Sequence, residues 1–131
     1  MAAVLKSKLS LIAFVVFYLV AGLMHFIQPN FYIQVIPDYL GDARLLNQMA
    51  GVAEIIIAIA ALFKTTRALA GYGTIAMLMV FVIPHVYFIK IGSCAGDLCI
   101  PSWVAWLRLI VIHPLLLYWA YTIAKNKTKL L

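Results

Sequence analysis

Acidic side chains are nearly absent: Asp38, Asp42, Glu54 and Asp97 are the only four in 131 residues, against ten Lys and Arg. Charged residues make up 11% of the chain and hydrophobic ones 66%, where a soluble domain carries roughly 25% charge. That poverty excludes an ordinary water-soluble domain. It does not turn the net charge of +6 into a nucleic-acid footprint, because the basic residues stand at the ends of apolar segments and are not interleaved with exposed aromatics. Other absences narrow the chemistry. There is no P-loop, dinucleotide fingerprint or hydrolase signature, and the Gly-Tyr-Gly beginning at Gly71 follows no strand, so it reads as helix packing. The two cysteines, Cys94 and Cys99, are spaced C-x4-C, which is neither the thioredoxin spacing nor a four-ligand zinc set. No metal site is read. No good Ala-x-Ala site follows the first apolar run, so Lys6 and Lys8 precede a retained helix and not a cleaved signal peptide.

What is present is apolar length. Four segments, 9–28, 45–63, 68–89 and 103–124, each approach the roughly 20 residues that a bilayer-spanning helix needs. Short connections make them sequential antiparallel neighbours. The expectation is an all-α, membrane-embedded antiparallel four-helix bundle, a single transmembrane domain over 1–131, with a cap at 29–42 and a cysteine loop at 91–102. Lys6, Lys8, Lys64, Arg67, Lys125, Lys127 and Lys129 fall on one side and Arg44 and Lys90 on the other, which puts both termini in the cytoplasm by the positive-inside rule. Lysine and isoleucine usage points to a bacterial inner membrane before a eukaryotic organelle.

One carboxylate lies in the middle of the second segment. An acid in hydrocarbon is a functional-site hypothesis by default, because it costs several kcal/mol unless protonated, paired or wetted. On a wheel of about 100° per residue, Asn47, Gly51, Glu54, Ala58 and Ala61 share a small, polar face, opposite Ile55, Ile56, Ile59 and Leu62. Tyr18, Gly22 and His25 line up on the first helix and are expected to meet it. The turn at 64–67 reads as charges anchored among headgroups, and Ala70, Gly73 and Met77 as the packing face of the third helix. Pro84 cannot donate to the Val80 carbonyl, so His85 stands beside an irregular, polar patch. On the fourth helix Arg108 and His113 are about 140° apart, so only one is expected to face any given point. Haem ligation by His85 and His113 is disfavoured because the two lie about a turn apart in depth. Cys94 and Cys99 read as a structural clip or as a redox-active pair.

GLMHFIQPNFYIQVIPDYL, NQMAGVAEI, TTRALAGYGTIAML, PHVYF and WLRL, in that order, resemble the successive signatures of the DoxX-like family of small four-helix membrane proteins. The matches fall on His25, Phe26, Pro29, Tyr32, Pro37, Gly51, Glu54, Ile55, Arg67, Gly71, His85, Tyr87 and Arg108. The resemblance covers about residues 21–124 and implies a compact four-helix membrane bundle. Members are linked with thiosulfate and quinone oxidation and membrane redox complexes, and similar folds with sterol isomerisation or receptor chaperoning. It also implies an inward Arg108 that pairs with Glu54 or binds an anionic ligand. The chain departs from the pattern at His85, where many relatives carry a small amide.

Together these residues outline an outward-opening pocket. Glu54, His25, His85, Arg108, His113 and Asn47 form its polar part, and Tyr18, Tyr87 and Trp106 pack the apolar body of a ligand. The first expectation is a membrane accessory or binding protein for a small amphipathic ligand, a quinone or a sterol-like lipid; quinone is the one cofactor the reading admits. The alternative is a small oxidoreductase subunit that passes electrons from thiol or sulfur donors, through Cys94 and Cys99 and a redox partner protein, to quinone. A proton-linked role for Glu54 would need a homo-oligomer, since four helices are few for alternating access.

Overall fold

The computed structural model describes residues 2–129. The elements are α1 (Ala2–Ile27), α2 (Pro29–Ile33), a 3-10 turn (Asp38–Leu40), α3 (Ala43–Leu62), α4 (Arg67–Lys90), the strands β1 (Cys94–Ala95) and β2 (Leu98–Cys99), α5 (Ser102–Leu107), a π-helical turn (Arg108–Ile112) and α6 (His113–Ala124). α5, the π turn and α6 run on as one fourth span, Ser102–Ala124. It joins Ser7–Ile27, Ala43–Leu62 and Arg67–Lys90 as helices long and apolar enough to cross a membrane. These boundaries lie within a few residues of the four apolar segments, but α1 reaches further toward the N-terminus. The expected cap resolves into α2 and the 3-10 turn, and the cysteine loop into a short hairpin.

The chain stops and restarts its helices by local chemistry. Pro29 has no N–H to give the His25 carbonyl, so α1 ends at Ile27 and the proline becomes the first residue of α2. Gly41, with φ 104°, takes a backbone conformation that a β-carbon would strain. The Asp42 carboxylate then caps α3, accepting from the N–H groups of Arg44 at 2.9 Å and Leu45 at 3.1 Å. In the hairpin, Cys94 pairs with Cys99. Gly96 takes φ 61° at the first central position of the two-residue connection, where hairpin geometry favours glycine.

At the other end of α3 the sequence expectation needs correcting. Arg67 does not reach outward to headgroups; it is 1% exposed. Its Nε donates to the Ala61 carbonyl at 2.8 Å and Nη2 to that of Leu62 at 3.0 Å, while Nη1 donates to the carbonyls of Asn126 and Thr128. The guanidinium thus satisfies carbonyls at the negative end of α3 and ties the C-terminal segment to it.

α1 packs antiparallel along α3, burying Leu11, Phe14, Tyr18 and His25 against Asn47, Glu54, Ala58 and Ala61. The close approach depends on two glycines. A β-carbon on Gly51 would stand 2.7 Å from that of His25, and one on Gly22 would stand 2.8 Å from the Gly51 carbonyl oxygen. α4 packs on α6 in the same way through Gly71, where a β-carbon would meet the Ala124 nitrogen at 2.6 Å. This corrects the expected α4 face. Ala70 is buried as expected, but its neighbours are Arg67, Gly71, Thr74 and Leu78, whereas Gly73 has nothing nearby and Met77 is only partly buried. Trp119 closes the bundle at its terminal end, meeting Phe14 edge-on at 5.4 Å and donating to Ser10 Oγ at 2.9 Å.

Candidate functional site

Toward the hairpin end, the helices part around a cavity of about 420 Å³ lined by α1, α3, α4, the π turn and α6, with α2 and the residues after it as a roof. Its lining is mainly apolar. The polar groups gather at two places on opposite walls.

The first wall belongs to α1 and α3. The His25 carbonyl, orphaned by Pro29, accepts from Asn47 Nδ2 at 2.8 Å. This bond fixes the amide orientation, so Asn47 Oδ1 faces His25 Nδ1 at 2.6 Å, and Nδ1 must carry the hydrogen. A neutral His25 then presents the lone pair of Nε2 toward Glu54 Oε2, 3.5 Å away. At that distance the two groups face each other with no hydrogen bond between them. Both are buried, and neither Glu54 Oε2 nor the Tyr18 hydroxyl has a hydrogen-bond partner. Buried polar atoms in such a position are open to a ligand. Tyr32, from α2, stacks on His25 with ring centroids 3.9 Å apart. Its phenol pKa is pushed above the ordinary value of 10.0, first by burial and then by the Glu54 carboxylate, with Arg108 opposing.

The second wall belongs to α4 and the fourth span. His85 and His113 meet edge-on with ring centroids 5.2 Å apart. Arg108 Nη2 lies 3.4 Å from the His85 ring nitrogens, and its guanidinium carbon lies 5.8 Å from the centre of the Phe88 ring. His113 Nε2 donates to the Leu78 carbonyl at 2.8 Å. That bond and the ring contact leave no room for a haem iron between the two histidines. Among the described residues no ion pair joins Arg108 to Glu54, so the expected pairing is replaced by Glu54 with His25 and Arg108 with His85.

Arg108 and His113 both line the cavity, contrary to the wheel argument. The cause is the π turn. The His113 N–H bonds to the Arg108 carbonyl five residues back, a wider spacing than the α-helical four. Pro114, the next residue, offers no N–H to the Ile110 carbonyl and so favours the widening. The extra residue per turn swings His113 round toward Arg108.

Tyr18, His25, Asn47, Glu54, His85, Arg108 and His113 therefore meet at one cavity, while Tyr87 and Trp106 do not line it. Tyr87 follows His85 by two residues and Trp106 precedes Arg108 by two, which places each about 200° round its helix from its cavity-facing neighbour. Tyr32 and Phe88 line the cavity without having been read as site residues. Tyr32 is spaced by seven from His25, but the break at Pro29 hides that spacing from a helical wheel.

The hairpin stands over this roof. Cys94 and Cys99 form a disulfide. Beside it Ala95 packs with Phe88 and Ala105, and Phe31, Val35 and Ile100 lie against that cluster. Phe31 and Val35 also line the cavity, so the cysteine hairpin bears on the roof without entering the cavity. Among the described residues no group of three or more His, Cys, Asp or Glu side chains is placed to hold a metal ion.

A family model described as "Domain of unknown function (DUF8561)" matches residues 14–124, a stretch that takes in every cavity-lining residue named above. No curated protein and no solved structure matches the chain.

Proposed function

We propose that this chain, which belongs to the DUF8561 family, is a multi-pass membrane protein that binds a small amphipathic molecule in the cavity between its four helices. The observation that carries the reading is the buried acid. Glu54 Oε2, 3.5 Å from His25 Nε2, and the Tyr18 hydroxyl have no hydrogen-bond partner at the edge of a largely apolar space, and a ligand hydroxyl or carbonyl supplies one while its apolar body fills the rest. The exposed faces of the spans carry Leu19, Ile56, Val80 and Leu115, which suits contact with lipid. The excess of Lys and Arg at the terminal end supports cytoplasmic termini. The hairpin end then lies outside, where a disulfide persists, and in this reading the host membrane is a bacterial inner membrane. The DoxX-like resemblance, taken as a proposal, is consistent with a quinone or sterol-like ligand.

Native mass spectrometry of the protein drawn from its own membrane tests this. The expected result is a bound small molecule that is lost in Glu54→Gln and kept in a Cys94→Ser, Cys99→Ser double variant. Retention of the same molecule in Glu54→Gln would sink the reading.

A second reading rests on the hairpin over the roof. A disulfide one layer of side chains from a ligand cavity fits a subunit that passes electrons from a thiol or sulfur donor to a bound quinone. Loss of a co-purifying partner and of quinone reduction in the serine double variant, with the ligand still bound, favours it over simple binding.

A further inference from the structure

The cavity is fastened unevenly. Every hydrogen bond and ring contact between α1 and the fourth span or the C-terminal segment, among the described residues, lies toward the terminal end. Ser7 meets Thr128 and Asn126, Ser10 meets Trp119, and Phe14 and Phe17 pack on the Trp119 ring. Beyond Trp119 the two helices are joined by none, and the cavity lies between them. The roof, by contrast, is held by the His25–Tyr32 stack and by the cluster under the hairpin.

Two side chains at this seam, Phe17 and Ile112, line the cavity yet are 44% and 45% exposed. Ile112 belongs to the π turn, a segment of weaker helical geometry. A second hollow on the exposed face of α1, lined by Ala13, Val16, Phe17, Val20 and Ala21, shares Phe17 and Ala21 with the cavity. Cavity and hollow thus share a border at Phe17 and Ala21, beside the seam; the hollow is shallow and open, and every residue lining it is apolar.

We propose that the ligand is a chain-bearing amphiphile that enters from the bilayer through the seam between α1 and the fourth span. Its polar head stops at Glu54 and its apolar chain comes to rest in the hollow at residues 13–21. The proposal rests on the binding reading above and adds the route and the ligand class. A compact ligand without a chain would have no use for the hollow, and a water-soluble one would arrive through the roof. Since lipid tails are as apolar as the hollow, the hollow directs the chain without adding much affinity.

The test is photolabelling of the protein in lipid nanodiscs with a benzoquinone that carries a terminal diazirine on a ten-carbon chain, mapped by peptide mass spectrometry. The expected result is labelling concentrated on residues 13–21, falling to background in Glu54→Gln. Val16→Trp fills the hollow from an exposed position outside the cavity and is expected to displace the label from α1 while the quinone stays bound. Glu54-dependent labelling of α2 or of the cavity interior would overturn the side route and leave the binding site standing. Labelling spread over the exposed faces of all four spans, unchanged in Glu54→Gln, would overturn both.

Discussion

Replacing Asn47 by Leu removes one side chain that serves two groups of His25. The backbone carbonyl freed by Pro29 loses its donor and the ring Nδ1–H loses its acceptor, bonds of 2.8 and 2.6 Å respectively. Asn47 is 1% exposed, so water does not replace them. Leaving a buried group unsatisfied costs about 1–3 kcal/mol, which would give about 2–6 for two. Hydrogen bonds between membrane helices average nearer 0.6 kcal/mol, because the unfolded chain finds other partners, which gives about 1.2. Asn47→Leu is therefore expected to destabilise the bundle by about 2 kcal/mol, between these limits, in a denaturing-detergent titration. A double-mutant cycle with His25→Ala separates the two bonds, since only the ring bond disappears in the second background. The coupling measures the ring bond, and what Asn47→Leu still costs without the ring measures the carbonyl bond. Stability unchanged within about 0.3 kcal/mol, the usual error of additivity, would refute the argument that Asn47 satisfies both the carbonyl and the ring of His25. Loss of ligand is expected in the same variant, because His25 no longer has a fixed tautomer to hold toward Glu54.

The glycine crossing predicts that Gly51→Val destabilises by about 1–3 kcal/mol, the range for overpacking, because its β-carbon meets that of His25 at 2.7 Å; Gly73→Ala, in open space, is expected to gain up to about 1 kcal/mol from helix propensity. A thermal melt that ranks the two the other way would show that the α1–α3 contact is looser than described. Opening the Cys94–Cys99 disulfide, whose partners lie five residues apart, is expected to remove about 2 kcal/mol in the chain-entropy account, seen as a lower melting temperature in reductant that the serine double variant already shows without it. Tyr32 titrates above its unfolded value of 10.0, so the folded protein favours the neutral phenol. Stability is full below about pH 10 and falls as the pH rises through and above that value, where the unfolded chain ionises first. The slope of stability against pH above 10 is expected to lessen in Tyr32→Phe, and an unaltered slope would show that Tyr32 is not buried in the cavity roof.

The α1 and α3 faces were legible because their signals are contrasts. Asn47, Gly51, Glu54, Ala58 and Ala61 set small and polar residues on one face against Ile55, Ile56, Ile59 and Leu62 on the other, and Tyr18, Gly22 and His25 stand out in the same way. α4 offers no such contrast: Gly71 and Gly73 are equally small, yet only Gly71 lies against the fourth span. Arg67 and Thr74, seven residues apart and both buried, mark the true face, but a basic residue at a helix end reads first as a membrane anchor. The bond from Arg67 to the tail carbonyls spans some sixty residues, and no local pattern announces it. Tyr87 and Trp106 suggest a ligand pocket by residue type alone, but each lies about 200° round its helix from His85 or Arg108 and neither lines the cavity.

The irregular geometry of the site follows from its prolines. Three of the chain's five prolines stand beside cavity-facing polar residues: Pro29 four residues after His25, Pro84 before His85, and Pro114 after His113. Each removes an N–H from the carbonyl four residues back. At Pro29 the freed oxygen is the one that recruits Asn47, and through it sets the His25 ring against Glu54. At Pro114 the loss favours the π turn that brings Arg108 and His113 onto one wall. A uniform helical wheel assumes that every residue advances the chain by the same angle, so it fails at the positions where a proline has been used to break that rule. Restoring the rule is therefore a direct perturbation of the second wall. Pro114→Ala returns an N–H to the Ile110 carbonyl and is expected to let the π turn relax to α-helix, carrying His113 away from His85 and the Leu78 carbonyl. The fold should survive, since alanine is the better helix former, while ligand binding should fall. A variant that keeps both stability and ligand would show that the π turn is held by packing around His113 and not by the proline.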